Sequence, residues 1–164
     1  MRFIAHRGNI DGRCSTSPSR ENSTEYIDEA IDKGFDVEID IRLTAGCVPP
    51  GSFYLGHDYP EHEVSLDWLI ERRDKLWLHA KNVAALRWFL NSSTGWNVFW
   101  HQEDDYTITS KGYIWVYPGK RPCHESIIVM PEKTSYQWKL IRKCGGICSD
   151  NIGRYYEEFK AGNF

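Results

Sequence analysis

The sequence predicts an α/β fold, a compact TIM-type (β/α)8 barrel with several helices shortened or missing, and three observations carry that expectation. Eight short apolar runs recur along 164 residues. Helical patterns with capping residues separate several of them, and most runs end in a titratable side chain. Alternating strand and helix signals mark a parallel sheet, and in a barrel the chemistry collects at the carboxyl ends of the strands. A full barrel takes about 250 residues and this chain has roughly 20 per unit, so helices after the third, fifth and sixth runs are expected to be reduced or absent. An open doubly wound sheet is the alternative, although the glycine-rich phosphate loop that would make a nucleotide site on it is absent.

In chain order, residues 3–5 form the first run and lead into His6-Arg7. Asn22-Ser23-Thr24-Glu25 resembles a capping box, followed by Ile27, Ala30 and Ile31 on one face and Gly34 as a stop. Residues 35–43 form a second run, interrupted at Glu38, Asp40 and Arg42, and residues 53–56 a third that ends at His57-Asp58. Ser65 caps a turn or two with Leu66, Leu69 and Ile70 inward. Residues 76–78 lead into His79 and Lys81, and Asn82 caps a helix expected to bury Val83, Leu86, Phe89 and Leu90. The next runs are 97–100 ending at His101, 113–117 ending at Pro118-Gly119, and 127–130 ending at Pro131-Glu132. Thr134 or Ser135 opens a last helix carrying Leu140 and Ile141, closed by Gly145-Gly146, and the run 146–148 ends at Ser149-Asp150. No repeat, linker or low-complexity tract interrupts the series, so one domain is expected over residues 1–164.

Composition narrows the function classes. A net charge of -3 and the absence of a basic stripe disfavour a nucleic-acid partner. No apolar stretch approaches the roughly 18 residues of a membrane span. The start, Met1-Arg2-Phe3-Ile4-Ala5-His6, lacks the apolar core of a signal peptide. Five cysteines, odd in number and widely spaced, suit free thiols in a reducing, cytoplasmic setting. Aromatic residues reach 14%, which for so short a chain predicts a core filled by large rings before it predicts a ligand surface.

Strand parity sharpens the site. Glu38, Asp40 and Arg42 are spaced i, i+2, i+4 and share one face, while Val37, Ile39 and Ile41 occupy the other. Two enclosed carboxylates about 7 Å apart along a strand repel unless a proton or cation compensates, and a hard divalent ion with oxygen ligands is the natural compensation. His79 and Lys81 share a face by the same parity. Adding His6 with Arg7, and His57 with Asp58, gives two histidines, a carboxylate pair and cations at strand ends. His101, Glu132, Trp115 and Tyr117 are weaker candidates for the same mouth.

Here the sequence resembles a known family. Ile4-Ala5-His6-Arg7-Gly8, Glu21-Asn22-Ser23, Glu38-Ile39-Asp40-Ile41-Arg42-Leu43-Thr44 and Gly56-His57-Asp58 are similar, in order, to the signature of glycerophosphodiester phosphodiesterases, and Gly145-Gly146-Ile147-Cys148-Ser149-Asp150 is similar to its closing strand. The chain resembles a short, divergent member of that family within the phospholipase-C-like phosphodiesterases. The resemblance implies a barrel with one divalent ion at its mouth. It makes His6 and His57 the acid–base pair, Glu38 and Asp40 metal ligands, and Glu21 and Arg7 neighbours of metal and phosphate. Where the family carries Glu-x-Lys, this chain reads His79-Ala80-Lys81. Lys81 therefore matches a phosphate-binding residue, and a carboxylate ligand is replaced by imidazole. Either His79 ligates the ion, or Glu21 or water does, or metal binding is weakened. Mg or Ca is the expected ion, with Mn or Zn admitted by His79.

The implied activity is hydrolysis of a small glycerophosphodiester-like or phosphosugar diester by two-histidine acid–base catalysis. The rivals are a weakened barrel that binds a phosphate-containing ligand and a lyase that releases a cyclic phosphate. Oligomeric state is not encoded in any pattern of the sequence.

Overall fold

The computed structural model describes residues 1–44, 51–134 and 136–163. All eight apolar runs form strands, and two three-residue strands and one helix join them. In order these are β1 Arg2–His6, α1 Thr24–Asp32, β2 Asp36–Thr44, β3 Ser52–Leu55, β4 His62–Val64, α2 Leu66–Arg72, β5 Leu76–Ala80, α3 Val83–Asn91, β6 Val98–Phe99, β7 Tyr106–Ile108, β8 Ile114–Val116, β9 Ile127–Val129, a 3-10 turn Pro131–Lys133, α4 Trp138–Ile141, β10 Gly146–Ser149 and α5 Ile152–Lys160. Among the described residues no helix is long and apolar enough to cross a membrane.

The expected closed (β/α)8 barrel is not what forms. The sheet is mixed, and its eight-strand path β4-β3-β2-β1-β10-β9-β8-β7 curls through 198°, a half-barrel with five short helices. The third run is the main departure. β3 returns antiparallel onto the far half of β2, with Ile41 opposite Leu55 and Thr44 opposite Ser52, and β4 pairs antiparallel with β3. A hairpin of this kind needs no crossover helix, so it occupies a sheet edge without adding a barrel unit. The Asp40 carbonyl accepts from Gly56 N–H at 3.0 Å and the Ile41 carbonyl from Lys81 N–H at 2.9 Å, so β3 and β5 flank β2 on opposite edges. From β5 the sheet continues parallel into β6.

No ladder joins β6 to β7 or β8 among the described residues. Ser110 provides the link instead: its N–H donates to the Val98 carbonyl at 2.8 Å, and its hydroxyl accepts from Val98 N–H and donates to the Trp96 carbonyl. The connections leaving β6 and β8 hold no helix among the described residues. With too few residues for crossovers, the chain leaves that arc to short antiparallel β7, and the ring stays open as a ladder.

Period-two alternation splits the apolar residues into two cores. Val37, Ile39 and Ile41 face outward, packing with Ile27 and Ala30 of α1, Ala85 and Phe89 of α3, and Ile152 and Tyr155 of α5. Ile4, Trp77, Phe99, Trp115, Ile127, Val129, Met130 and Cys148 fill the inside of the curl. Three rings meet in this inner core, with Phe99 and Trp115 at 4.7 Å and Trp77 and Trp115 at 5.8 Å between centroids, while more of the aromatic residues, among them Phe35, Phe53, Phe89, Trp96 and Tyr155, pack in the outer one.

Local expectations fare unevenly. Ser23, Ser65 and Asn82 cap α1, α2 and α3 by accepting from Tyr26, Trp68 and Ala85 N–H. The helical faces are narrower than expected, since Val83 (61% exposed), Leu90 (53%) and Ile70 (40%) point outward. The last predicted helix shrinks to α4, because Pro131 starts a 3-10 turn; its alternative start at Ser135 lies outside the described residues. Helix α5 was not expected, although Ile152, Tyr155, Tyr156 and Phe159 carry a helical i, i+3, i+4, i+7 pattern.

Candidate active site

The inner face of the curl carries the polar cluster at the carboxyl ends of the parallel strands. A cavity of about 420 Å³ opens there, lined by His6, Arg7, Glu38, His57, His79 and Lys81 together with His101, Glu103, Trp115, Tyr117, Met130 and Lys133. Six of the eight residues singled out from the sequence thus meet in one cavity. The other two lie behind it: Asp40 is fully buried and Glu21 is 9% exposed.

Each group is positioned by a strand or a tight turn. Glu38 and Asp40 stand on β2 between β1 and β5, with His6 opposite Glu38 and His79 opposite Asp40 in the parallel register. Just past β1, Arg7 adopts φ 54°, and its guanidinium Nε lies 2.8 Å from Asp40 Oδ2. Asn22, at φ 62°, turns its amide onto Asp40, with Nδ2 donating to Oδ2 at 3.1 Å and Oδ1 accepting from Asp40 N–H at 3.0 Å. Met130, lining the cavity, has φ 46°. Three of the four described non-glycine residues with positive φ therefore serve this site. Such conformations cost roughly 1–3 kcal/mol each and persist where the surrounding structure over-determines them.

His6 is locked from behind. Its Nδ1 lies 2.7 Å from Asp150 Oδ1; a carboxylate only accepts, so Nδ1 carries the proton and Nε2 is left facing the cavity. Nε2 is 3.9 Å from Glu38 Oε2, beyond hydrogen-bond reach. Asn9, fully buried, donates to both Asp150 Oδ1 and Glu21 Oε1 at 2.9 Å. Burial disfavours the Asp150 carboxylate, but its hydrogen bonds from His6 and Asn9 and the nearby charges outweigh burial and lower its pKa. Glu132 Oε1 in turn accepts from Ser149 Oγ at 2.9 Å and from Asp150 N–H at 3.1 Å.

His79 is held on two sides. Its Nε2 lies 2.7 Å from the His101 carbonyl and must donate to it. Its ring stacks on Phe99, with centroids 5.0 Å apart and planes within 8°. Nδ1 then faces the carboxylates, 3.4 Å from Glu38 Oε1 and 3.2 Å from Asp40 Oδ1. Burial alone lowers the His79 pKa; contact with Asp40 and Glu38 outweighs burial and pushes it up to about 9. Burial likewise disfavours the Asp40 carboxylate, yet His79, Arg7 and Lys81 (Nζ at 3.8 Å) keep its carboxyl well below the usual range.

Glu38, Asp40 and His79 offer three ligand atoms within 4.8 Å of one another. Glu38 Oε2 is buried with no hydrogen-bond partner, and Asp40 Oδ1 has only ion-pair contacts with His79 and Lys81; buried acidic oxygens left in this way suit a cation. The residues present therefore fit a divalent ion. Glu21 is not part of that cluster: its oxygens are taken by Asn9, Arg7 and Arg13. It orients Arg7.

His57 reaches the rim rather than the floor. Its side chain is 42% exposed and its Nδ1 lies 2.7 Å from Asp58 Oδ1. Gly56 makes the turn that delivers it, at φ 145°, where a Cβ would come within 2.1 Å of the Tyr59 carbonyl. Arg42, which shares the parity of the two acids, donates to the backbone carbonyls of Gly56, His57 and Asp58 and braces that turn.

Asp150, Asn9 and Asn22 are hydrogen-bond partners of the site that the sequence reading did not assign. Parity could have found Asp150, since it lies two residues beyond Cys148 on the inner face. The two asparagines lie in loops, where no periodicity announces their direction. No protein-family model, curated protein or solved structure matches this chain.

Proposed function

We propose that this chain is a phosphodiester hydrolase, acting in the cytoplasm on a small glycerophosphodiester-like or phosphosugar diester with one divalent cation. The observation that carries the reading is the Asp150–His6 pair, whose ring opens into the same cavity as Arg7, Lys81 and His57. The four described cysteines are all free thiols, in keeping with a reducing compartment; Cys47 lies outside the described residues.

Glu38, Asp40 and His79 would hold the cation, which would supply Lewis-acid stabilisation of charge on the phosphoryl oxygens. Arg7 and Lys81 bind the non-bridging oxygens and keep the phosphate over His6. His6 takes the proton of the attacking water at Nε2, while Asp150 fixes the ring and stabilises the imidazolium that results. His57, at the solvent rim, protonates the departing alkoxide, and the alcohol leaves toward water. Val129, Met130 and Trp115 form the apolar wall that limits water around the phosphate.

The test is hydrolysis of a glycerophosphodiester panel followed by phosphorus NMR. Metal-dependent appearance of a phosphomonoester supports the reading, and a cyclic phosphate as the sole end product converts it to a lyase. One observation favours a second reading, a phosphate-binding pocket without turnover: Arg7, His79 and Lys81 are already ranged against the Glu38–Asp40 pair. Saturable phosphate binding with no turnover of any diester, with or without metal, would establish that alternative.

A further inference from the structure

We propose that Glu38, Asp40 and His79 form a mixed nitrogen–oxygen site that selects zinc or another late first-row divalent ion over magnesium and calcium. The inference rests on the phosphodiesterase reading for its use, but its argument is the geometry of three side chains. The donor type comes first. The His101 carbonyl takes the Nε2 proton of His79, so Nδ1 faces the two carboxylates, and an ion bound between them would take the place of the Nδ1 proton. Imidazole suits zinc, copper, nickel and iron, whereas magnesium and calcium prefer oxygen throughout.

Rigidity comes second. His79 and Asp40 are partners in the parallel ladder between β2 and β5, and the imidazole lies flat against buried Phe99. Strand-borne donors held in this way do not rearrange into the larger oxygen shell that calcium takes, with 6–8 ligands. The two separations from His79 agree. A tetrahedral shell with bonds of about 2.0–2.1 Å spaces its ligands roughly 3.3–3.4 Å apart. An octahedral magnesium shell of the same bond length spaces adjacent ligands about 2.9 Å apart. Nδ1 lies 3.2 Å from Asp40 Oδ1 and 3.4 Å from Glu38 Oε1.

An open position comes third. Glu38 and His79 line the cavity while Asp40 sits behind them. Three protein ligands thus leave one side of the ion toward the substrate space, as in catalytic zinc sites.

The experiment uses the full chain stripped with chelator and titrated separately with Zn(II), Co(II), Mg(II) and Ca(II) by calorimetry, with the visible spectrum of Co(II) followed in parallel. The expected result is one Zn(II) or Co(II) per chain, bound at least about tenfold more tightly than Mg(II) or Ca(II), and an intense Co(II) spectrum of low coordination number. His79→Gln should weaken Zn(II) by at least the roughly 10–100-fold that outer-sphere partners carry, and His79→Glu should shift the preference toward Mg(II) and Ca(II). If the His79 variants do not fold, pulsed EPR of Cu(II) bound to the unaltered chain must show a directly bound imidazole nitrogen that survives His6→Ala. Equal or tighter Mg(II) or Ca(II) binding, no stoichiometric binding of any ion, or no imidazole signal overturns the inference. Zn(II) bound as described, with no diester cleaved under any condition, instead overturns the phosphodiesterase reading alone.

Discussion

Asp150 and His6 stand 144 residues apart in sequence and share a 2.7 Å hydrogen bond at the floor of the cavity. The first and last strands make them neighbours: β1 and β10 run parallel with Ala5 opposite Ser149, so the next residue along each, His6 and Asp150, emerges at the same end. The imidazole then has one nitrogen committed to the protein and one facing the substrate space.

Replacing His6 by Ala removes the proton acceptor while leaving the strand intact, because its neighbours Ile4 and Ala5 carry the packing. Turnover should fall about 10²–10⁴-fold, the usual contribution of a general acid–base group, with circular dichroism unchanged. His57→Ala should act similarly on substrates with a poor leaving alcohol, and more mildly where the leaving group needs no proton. Undiminished hydrolysis by both variants would remove the catalytic assignment.

Asp150→Asn keeps the size of the side chain and removes its charge, so His6 loses its preferred tautomer and turnover should drop by at least about 10²-fold. The same change alters acid stability. The Asp150 pKa is lowered in the folded state by the groups named above. A depressed carboxyl contributes stability that is present above its unfolded pKa, near 3.9, and is lost as pH falls through the lower folded value. Urea unfolding from neutral to strongly acid pH should therefore show wild type losing its advantage over Asp150→Asn below about pH 4. A constant gap between the two curves would contradict the linkage.

Glu132 clamps the end of β10 through Ser149 Oγ and Asp150 N–H. Glu132→Ala deletes two charge-assisted bonds and should cost about 2–4 kcal/mol of stability. It should also lower kcat with little change in KM, since the residue acts through Asp150 and His6. Denaturant unfolding reads the first effect and steady-state kinetics the second; a change in KM alone would move Glu132 out of the positioning role.

Gly56 has no room for a side chain, because a Cβ there meets the Tyr59 carbonyl at 2.1 Å. Gly56→Ala must shift the backbone that carries His57, and a strained left-handed position adds about 1–3 kcal/mol. Reduced thermal stability and reduced turnover are expected together, with binding of the divalent ion preserved, since Glu38, Asp40 and His79 lie on other strands. Loss of ion binding in this variant would show that the rim and the metal cluster are one unit.

Every apolar run read from the sequence became a strand, and the inward parity of Glu38 and Asp40 followed from counting by two. That much was legible because strand parity is a local property: whichever partner a strand finds, alternate side chains still point to opposite faces. The caps at Ser23, Ser65 and Asn82 were legible for the same reason. Asn22 illustrates the limit. It stands beside a helix start and reads as part of a cap, yet its side chain turns away to Asp40, a choice made by a strand 18 residues downstream.

By itself the sequence determined which side chains share a face and which stretches are extended or helical, since backbone sterics and apolar periodicity operate over a few residues. Only the tertiary structure decided that Ser52–Leu55 turns back antiparallel along β2, that the curl stops at a half-barrel, that Asp150 meets His6 and that the His101 carbonyl sets the ring nitrogen of His79. Those outcomes depend on pairing between distant segments, where loop lengths and competing edges select among partners that look alike from any single strand.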